Sequence, residues 1–323
     1  MARILVTGAA GFIGRALCRE LVQRGHAVVG ATRGAAKPIT GVMLRPLGDI
    51  GPQTHWARHL DQVDVAVHLA TSAHRPVGPA AGAAEAEAAA TLARAAAAAG
   101  ARRLVLVSSI RAMAAATPPG TRLRAADPPL PGDPYGRAKL AIERATEAAA
   151  RATGLDLVTL RPPLVHGPGV KGNLRALLRL IARGVPLPFA AVDNRRSLVF
   201  LDNLVDLLAL ASTHPAAGGR ILLARDEPDL STPELIRALA SGLRRRARLF
   251  PVPAALLAGV CSVPRIGAAV SRVTASLRVD DSETRSLLGW SPAVTPEAGL
   301  AATARAFARL GQANDSRPGG VIG

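Results

Sequence analysis

Residues 2–14 are ARILVTGAAGFIG, a short apolar run that leads directly into a glycine-rich segment. The apolar run predicts a buried β-strand, and the apolar spacing from Phe12 onward predicts an amphipathic helix. The glycines between them are three apart: Gly8, Gly11 and Gly14. In dinucleotide-binding turns, the first glycine permits the tight turn, the second the approach of a phosphate, and the third close helix–strand packing. The segment therefore predicts pyrophosphate binding at the helix N-terminus.

The end of the second predicted strand, HAVVGATR (26–33), bears on which dinucleotide binds. An NAD site usually places Asp or Glu about 20 residues after the glycines, where it binds the ribose 2′-hydroxyl. This segment has no acidic residue and ends in Thr32 and Arg33. A hydroxyl can donate to a 2′-phosphate, and a guanidinium can bind it in a bidentate manner. The sequence predicts NADP (NADPH), with NAD as the alternative.

The only tyrosine of the chain, Tyr135, precedes Lys139 by four residues in PYGRAKL (134–140). Residues four apart share a helix face, so the ammonium can lie beside the phenol. A free tyrosine has a pKa near ~10, which a neighbouring cation lowers. The pair predicts acid–base catalysis. Ser109 follows the apolar run RRLVLVS and should lie at the carboxyl end of the sheet, where such folds bind ligands.

Strands and helices alternate through the first half of the chain, which predicts an α/β fold with a Rossmann-type doubly wound parallel sheet. The predicted strands are 3–7, 27–32, 42–47, 63–69, 103–109 and 155–160. The alternation ends near residue 165, which predicts a smaller C-terminal substrate lobe. We predict a dinucleotide-binding domain at 1–165 to which 198–213 returns, a substrate lobe at 166–310 and a disordered tail at 311–323.

The composition favours one cytoplasmic enzyme of 323 residues. The net charge of +17 suggests a nucleic-acid partner. However, aromatic residues, which stack on bases, make up only 2% of the chain, and residues 244–246 form the only arginine run. We therefore predict no nucleic-acid partner. The chain begins in a predicted core strand and has no apolar run of about 20 residues, so we predict neither a signal peptide nor a membrane partner. Two distant cysteines and no Cys/His cluster predict neither disulfides nor a metal site.

Over residues 1 to about 310, the chain resembles the extended short-chain dehydrogenases/reductases of the NAD-dependent epimerase/dehydratase group. GAAGFIG matches that family's GxxGxxG, VSSI (107–110) its strand ending in the catalytic hydroxyl, and PYGRAKL its YxxxK. RPPLVHGPGVKGN (161–173) and NRRSLVFLDNLVDL (194–207) resemble bacterial reductases of UDP-4-keto-6-deoxy-N-acetylhexosamines. UDP-glucose 4-epimerases are more distant relatives.

The resemblance implies three catalytic residues. Tyr135 donates the proton, Ser109 binds the same oxygen, and Lys139 holds the nicotinamide ribose and lowers the tyrosine pKa. The residues that the resemblance and the strand ends assign to the cofactor are Gly8, Gly11, Phe12, Ile13, Gly14, Thr32, Arg33, Asp49, Ile50, Leu69, Ala70, Thr71, Ser108, Tyr135, Lys139, Pro162 and Leu164. Those assigned to the substrate are Ser109, Tyr135, Asn173, Arg196 and Arg278.

The function predicted is NADPH-dependent reduction of the C4 ketone of a UDP-linked deoxy-N-acetylhexosamine. One alternative is a nucleotide-sugar 4-epimerase that retains NAD, and another is a non-catalytic dinucleotide-binding sensor or assembly protein. The resemblance also implies a homodimer. The chain departs from the family at His166, where relatives have tyrosine, and at RAMAA (111–115), where close relatives have a run like KVNGE. These positions are expected to line the sugar pocket.

Overall fold

The computed structural model describes residues 1–69, 79–253, 256, 270 and 273–315. Predictions for Ala70, Thr71 and the tail beyond residue 315 lie outside these residues. The chain divides into two compact units. The first comprises Met1–Pro163, Leu201–Arg225 and Val279–Pro292, and the second comprises Leu164–Phe200, Asp226–Arg278 and Ala293–Gly323.

Nine strands are found in the described part of the chain. They are β1 (Arg3–Thr7), β2 (Ala27–Thr32), β3 (Val42–Pro46), β4 (Val65–His68), β5 (Arg103–Val107), β6 (Asp156–Arg161), β7 (Leu164–His166), β8 (Leu198–Phe200) and β9 (Ile221–Leu223). The first unit contains a seven-stranded sheet in the order β3-β2-β1-β4-β5-β6-β9, with every neighbouring pair parallel. The second unit contains the parallel pair β7–β8.

Helices cover the sheet of the first unit and make up much of the second. The described helices are α1 (Phe12–Gln23), α2 (Ala57–Leu60), α3 (Pro79–Ala98), α4 (Pro134–Thr153), α5 (Gly172–Ala182), α6 (Leu201–Thr213), α7 (Thr232–Gly242), α8 (Ser282–Leu288) and α9 (Pro296–Asp315). Short 3₁₀ turns lie at Ile110–Ala112 and Pro215–Ala217. The predicted doubly wound α/β fold is confirmed.

The first helices form where their sequences place small or apolar residues on one face. In α1 the buried residues are Gly14, Leu17, Cys18 and Leu21, which is the spacing of one helical face. The alanine-rich helix α3 packs closely against α4 because alanine side chains allow two backbones to approach. Helix α4 begins with Asp133 as N-cap and Pro134 in its first turn, and Gly154 ends it at φ 70°.

The structure differs from the predicted domain division at three places. The return to the first unit begins at Leu201 and reaches Arg225, because β8 pairs with β7 rather than with the large sheet. Val279–Pro292, predicted to lie in the substrate lobe, belongs to the first unit. There, Thr284 accepts a hydrogen bond from the Leu223 backbone N–H at 3.0 Å, which anchors α8 to β9. Helix α9 spans Pro296–Asp315 and so overlaps the predicted tail, whose disorder stays a prediction.

Candidate functional site

The glycine-rich turn after β1 leaves no room for side chains. Gly8 has φ 70°, and its carbonyl accepts a hydrogen bond from the Gly11 N–H at 2.8 Å. A Cβ atom on Gly14 would lie 2.2 Å from the Gly8 oxygen, and one on Gly11 would lie 3.0 Å from it. Gly11 is the N-cap of α1, and it has no side chain to accept hydrogen bonds from the first amides of the helix. Phe12 and Ile13 lie in the first turn. This cradle fits a dinucleotide pyrophosphate, since the first amides of α1 can donate to it.

Buried polar contacts join β1 to β4 at the point where the strand order reverses. The Thr7 hydroxyl lies 2.9 Å from Nδ1 of His68 and accepts a hydrogen bond from the Leu69 N–H at 3.1 Å. Burial and the nearby Lys139 ammonium lower the pKa of His68 to about 4, so its ring is neutral at physiological pH. These contacts hold Leu69 at the carboxyl end of β4, where folds of this type bind their ligands.

The end of β2 differs from the sequence prediction in one respect. The Thr32 hydroxyl, predicted to donate to a 2′-phosphate, is buried and donates to the Gly34 carbonyl at 2.7 Å. Arg33 is exposed, and its Nε atom lies 2.6 Å from a carboxylate oxygen of Asp49. Ile50, next in the chain, packs against the core. Arg33 is therefore the cation at this edge, and Asp49 is its partner.

The three predicted catalytic side chains come together beyond the carboxyl end of β5. The side chains of Ser109 and Tyr135 form a hydrogen bond, and the Lys139 ammonium lies 5.7 Å from the centre of the tyrosine ring. Ser109 caps the 3₁₀ turn, and its Oγ accepts the Arg111 N–H at 3.2 Å. A hydroxyl pair with a neighbouring ammonium can hold a substrate oxygen and supply it with a proton.

Ser108 and Pro162 lie beside this group. The Ser108 hydroxyl oxygen is buried and has no hydrogen-bond partner among the described residues. A buried hydroxyl without a partner costs free energy, so a ligand contact for Ser108 stays a prediction with a physical reason behind it. The Pro162 carbonyl accepts the Ile110 N–H at 3.0 Å and so fixes the turn that holds Ser109. Leu164 begins β7 in the second unit and is partly exposed.

The pKa of Tyr135 is raised above its ordinary value, mainly because the phenol is buried. Its hydrogen bond with Ser109 and the Arg111 guanidinium both lower the pKa, whereas Glu85 raises it further. The sequence assigned the lowering to Lys139. The structure instead identifies Arg111 as the cation that lowers this pKa. The phenol therefore keeps its proton at neutral pH in the protein without ligands.

Lys139 is almost fully buried on α4, one turn beyond the tyrosine. Burial lowers its pKa to about 8, against the opposing influence of the Glu85 and Glu143 carboxylates. Glu143 is itself fixed by Arg161, with an Nη2–Oε2 distance of 2.6 Å in a buried ion pair. The ammonium is therefore charged at neutral pH and loses its charge within the range in which enzymes are usually assayed.

The contacts that hold Ser109 beside Tyr135 were not among the sequence predictions. Arg111 forms an ion pair with Asp133, whose Oδ1 atom accepts the Gly136 N–H at 2.9 Å as the cap of α4. The Arg111 carbonyl packs against Gly136, where a Cβ atom would lie 2.1 Å from the oxygen. The Asp–Pro pair before the tyrosine is an N-cap signal that could have revealed Asp133. No local pattern indicates Arg111 as its partner.

Arg111→Gln is expected to shift the ionisation of Tyr135 to higher pH, because it removes the cation that lowers the phenol pKa. Tyr135 is the only tyrosine, so the tyrosinate absorbance of the whole protein reports this one group. Arg137→Gln is the matched control, since Arg137 is exposed on α4. An unchanged titration midpoint in Arg111→Gln would show that Arg111 has no such influence.

The predicted substrate residues of the second unit lie on different elements. Asn173 is exposed in the first turn of α5. Arg196 donates from Nη1 to the Ala275 carbonyl at 2.9 Å, and its backbone pairs with Leu230. Arg278 donates from Nε to the buried Asp229 carboxylate at 2.9 Å. A phosphate that binds Arg278 would have to share it with Asp229. Both arginines stay candidates for the substrate phosphate.

His166, predicted to line the sugar pocket, is buried among side chains of the second unit. Its side chain is completely buried, with Nδ1 3.2 Å from the Thr303 hydroxyl and the ring centre 5.5 Å from that of Phe200. A carboxylate oxygen of Asp226 lies 3.7 Å from its Nε2 atom. The His166 side chain therefore packs against α9.

The described residues include neither a cluster of metal-ligating side chains nor a helix that could span a membrane. In that part of the chain, no group of three or more His, Cys, Asp or Glu side chains could hold a metal ion. None of the described helices combines the length and the apolar character needed to span a bilayer.

Comparison with known proteins identifies the family. The family model described as the NAD dependent epimerase/dehydratase family matches residues 4–223. The chain is 35% identical over 312 residues to the UDP-glucose 4-epimerase of Vibrio cholerae, which covers 94% of this chain and 95% of that protein. It is 30% identical to the 2-alkyl-3-oxoalkanoate reductase of Stenotrophomonas maltophilia, over 75% of this chain and 76% of that protein.

Among solved structures, MoeE5 in complex with UDP-glucose and NAD superposes with a TM-score of 0.76 at 26% identity. The match covers 95% of this chain and 99% of that one. The resemblance inferred from the sequence motifs is thereby confirmed: the chain belongs to the NAD dependent epimerase/dehydratase family and is an enzyme of the oxidoreductase or epimerase kind.

Proposed function

We propose that this enzyme reduces the C4 ketone of a UDP-linked deoxy-N-acetylhexosamine with NADPH. The observation that supports this most directly is the hydrogen bond between Tyr135 and Ser109, beside a charged Lys139. Relatives on the same fold include a UDP-glucose 4-epimerase and a protein that binds UDP-glucose and NAD, so chemistry at a nucleotide-linked sugar fits the family.

The chain's own groups match the needs of a ketone reduction. A bound nicotinamide supplies the hydride in this chemistry. The buried phenol of Tyr135 is protonated at neutral pH and can donate its proton to the oxygen on which negative charge develops. Ser109 hydrogen-bonds that phenol and can position the same substrate oxygen. Lys139 adds positive charge within a buried environment, where electrostatic stabilisation is strongest.

The proposal of NADPH depends on the exposed end of β2. A surface ion pair such as Arg33–Asp49 contributes only about 0–1 kcal/mol, so the guanidinium can exchange Asp49 for a 2′-phosphate at little cost. A phosphate accepts bidentate hydrogen bonds from arginine. The β2 segment itself, residues 26–33, has no acidic residue at the position from which NAD sites usually bind the ribose 2′-hydroxyl.

Arg33→Gln is expected to raise the KM for NADPH about tenfold and to leave the KM for NADH nearly unchanged, because a charge-assisted hydrogen bond contributes about 1.5–3 kcal/mol. Arg19→Gln removes an exposed arginine from α1 and serves as the charge-matched control. Steady-state kinetics with both cofactors measure the effect. Equal changes for NADPH and NADH would contradict a contact with the 2′-phosphate.

The competing function is a nucleotide-sugar 4-epimerase that retains NAD. The identity to the Vibrio cholerae epimerase favours it, and so does the donation of the Thr32 hydroxyl to Gly34 rather than outward. An epimerase must first remove a proton from a sugar hydroxyl, which requires phenolate. The exposed Arg33 can bind the 2′-phosphate of a cofactor that is consumed, and this is why we place reduction first. Burial also raises the pKa of Tyr135 in the protein without ligands, which is consistent with this order.

The test is the absorbance of reduced nicotinamide when the purified protein receives a UDP-4-keto-6-deoxy-N-acetylhexosamine. Stoichiometric loss of NADPH, absent in Tyr135→Phe, supports the reductase. Absence of NADPH loss, together with release of bound NAD on denaturation and interconversion of UDP-hexoses, supports the epimerase. Absence of both signals contradicts both proposals.

The reduction rate is expected to fall on the alkaline side as the pH passes about 8, where Lys139 loses its proton. Below that pH the ammonium is charged, and the phenol keeps its proton because its pKa is raised. The measurement is kcat/KM against pH for the wild type and for Lys139→Gln, which should have a low rate and no inflection near pH 8. The same alkaline inflection in the variant would assign it to another group.

A further inference from the structure

Two segments of the second unit contain no acidic residue. Residues 164–192 include β7 and α5, and residues 235–278 include most of α7 and the chain that follows it. Both segments contain many arginines, in contrast to the rest of the unit, where Asp226, Asp229 and Glu234 lie close together in sequence. Within the sequence of the second unit, these two segments therefore carry basic residues without acidic ones to balance them.

Backbone hydrogen bonds bring these two segments together. The Leu187 N–H donates to the Arg248 carbonyl at 2.8 Å, and the Phe250 N–H donates to the Leu187 carbonyl at 3.1 Å. The Arg248 guanidinium also reaches the Gly184 carbonyl, just beyond the end of α5. The C-terminal end of α5 and residues 244–250 therefore share one surface.

The arginines of this surface are exposed, and of these Arg248 contacts the fold through the Gly184 carbonyl. Arg175, Arg179 and Arg183 are four residues apart and lie on one side of α5 and its C-cap. Like charges at this spacing destabilise a helix by roughly 0.2–0.5 kcal/mol per pair. Within the part of the chain that the structure describes, no ion pair with an acidic side chain is found for these three or for Arg244–Arg246. An anionic partner would offset their repulsion.

Exposed apolar side chains lie among these arginines. Leu180 is 38% exposed, Val185 37% and Phe250 43%. The Val185 N–H donates a hydrogen bond to the Leu180 carbonyl at 3.1 Å. The Phe250 N–H donates to the carbonyl of Leu187, which lies two residues after Val185 in the chain. We call the surface formed by residues 175–185 and 244–250 the basic apolar face.

We propose that the basic apolar face binds the surface of an anionic lipid bilayer. Arginines beside a bilayer interact with anionic headgroups, and neighbouring apolar side chains enter the boundary between headgroups and acyl chains. Nucleic acid would use the arginines but not the aliphatic side chains, and it binds best where aromatic rings offer stacking. This attachment is peripheral and needs no spanning helix. It differs from the sequence prediction of no membrane partner and is independent of the proposed function.

The test is co-sedimentation of the full-length protein with vesicles of phosphatidylglycerol and phosphatidylcholine, compared with vesicles of phosphatidylcholine alone. We expect binding to the anionic vesicles only. Replacing Arg179, Arg183 and Arg246 together by Gln should weaken it roughly a hundredfold, since each basic residue near an anionic surface contributes about 1 kcal/mol. Replacing Arg19, Arg58 and Arg137 of the first unit, which are also exposed, makes the same change in net charge and should have little effect.

Phe250→Ser tests the apolar part of the face, and it should weaken vesicle binding without changing the net charge. Circular dichroism of each variant controls for folding. Equal losses in both arginine triples would overturn the proposal, because net charge alone would then explain binding. Equal binding to neutral vesicles, or binding to duplex DNA without binding to vesicles, would overturn it as well.

Discussion

Tyr135→Phe is expected to lower the rate of ketone reduction by roughly 10²–10⁴-fold, the range that general acid catalysis contributes. The variant keeps the ring that packs beside the Lys139 ammonium and loses only the hydroxyl. Ser109 then has no phenol to hold, and no other tyrosine in the chain can take over the proton transfer. The measurement is kcat for NADPH oxidation with a UDP-linked 4-keto sugar.

Two observations separate this chemical effect from damage to the fold. NADPH binding, followed by fluorescence, should stay within about threefold of the wild type, because the removed atom adds little to the large contact of a dinucleotide. The tyrosinate absorbance at alkaline pH should disappear, since Tyr135 is the only tyrosine. A variant that binds NADPH normally and reduces the ketone at an undiminished rate would show that Tyr135 is not the proton donor.

Much of the first unit could be predicted because its signals are local. The glycines, the apolar strands and the Tyr–Lys spacing each lie within a few residues, and the geometry they require is fixed by backbone sterics. Gly14 shows this well, because only a glycine can approach the Gly8 carbonyl as closely as this turn demands. The strand ends, and hence the place of Ser109, follow from the same local patterns.

The features that could not be predicted depend on contacts between distant parts of the chain. Val279–Pro292 belongs to the first unit through the hydrogen bond of Thr284 to β9, which no local pattern indicates. The Thr32 hydroxyl could donate a hydrogen bond to a ligand or to the Gly34 carbonyl. It donates to Gly34 because of the geometry of the turn, which the sequence does not indicate. His166 is buried by α9, more than a hundred residues away in sequence. The conformations of loops and the packing of distant elements are therefore harder to predict from sequence than the strands, whose apolar periodicity is local.

Gly136→Ala is expected to impair both stability and catalysis, because the new methyl group would lie 2.1 Å from the Arg111 carbonyl oxygen. The helical backbone at this position suits alanine, so the effect comes from the collision alone. Either the turn that holds Ser109 or the first turn of α4 that holds Tyr135 must move by about 1 Å. Overpacking of this kind costs about 1–3 kcal/mol of unfolding free energy.

The catalytic loss in Gly136→Ala should exceed what the loss of stability explains. A displacement of about 1 Å between catalytic groups costs roughly a hundredfold in rate, so kcat/KM should fall by that amount even well below the unfolding temperature. Gly51→Ala is the matched control, because a Cβ atom there meets no atom within 4 Å. Chemical denaturation gives the stability of each variant, and NADPH oxidation gives kcat/KM. If Gly136→Ala lost stability but kept its rate, the Arg111–Gly136 contact would support the fold without setting the distance between Ser109 and Tyr135.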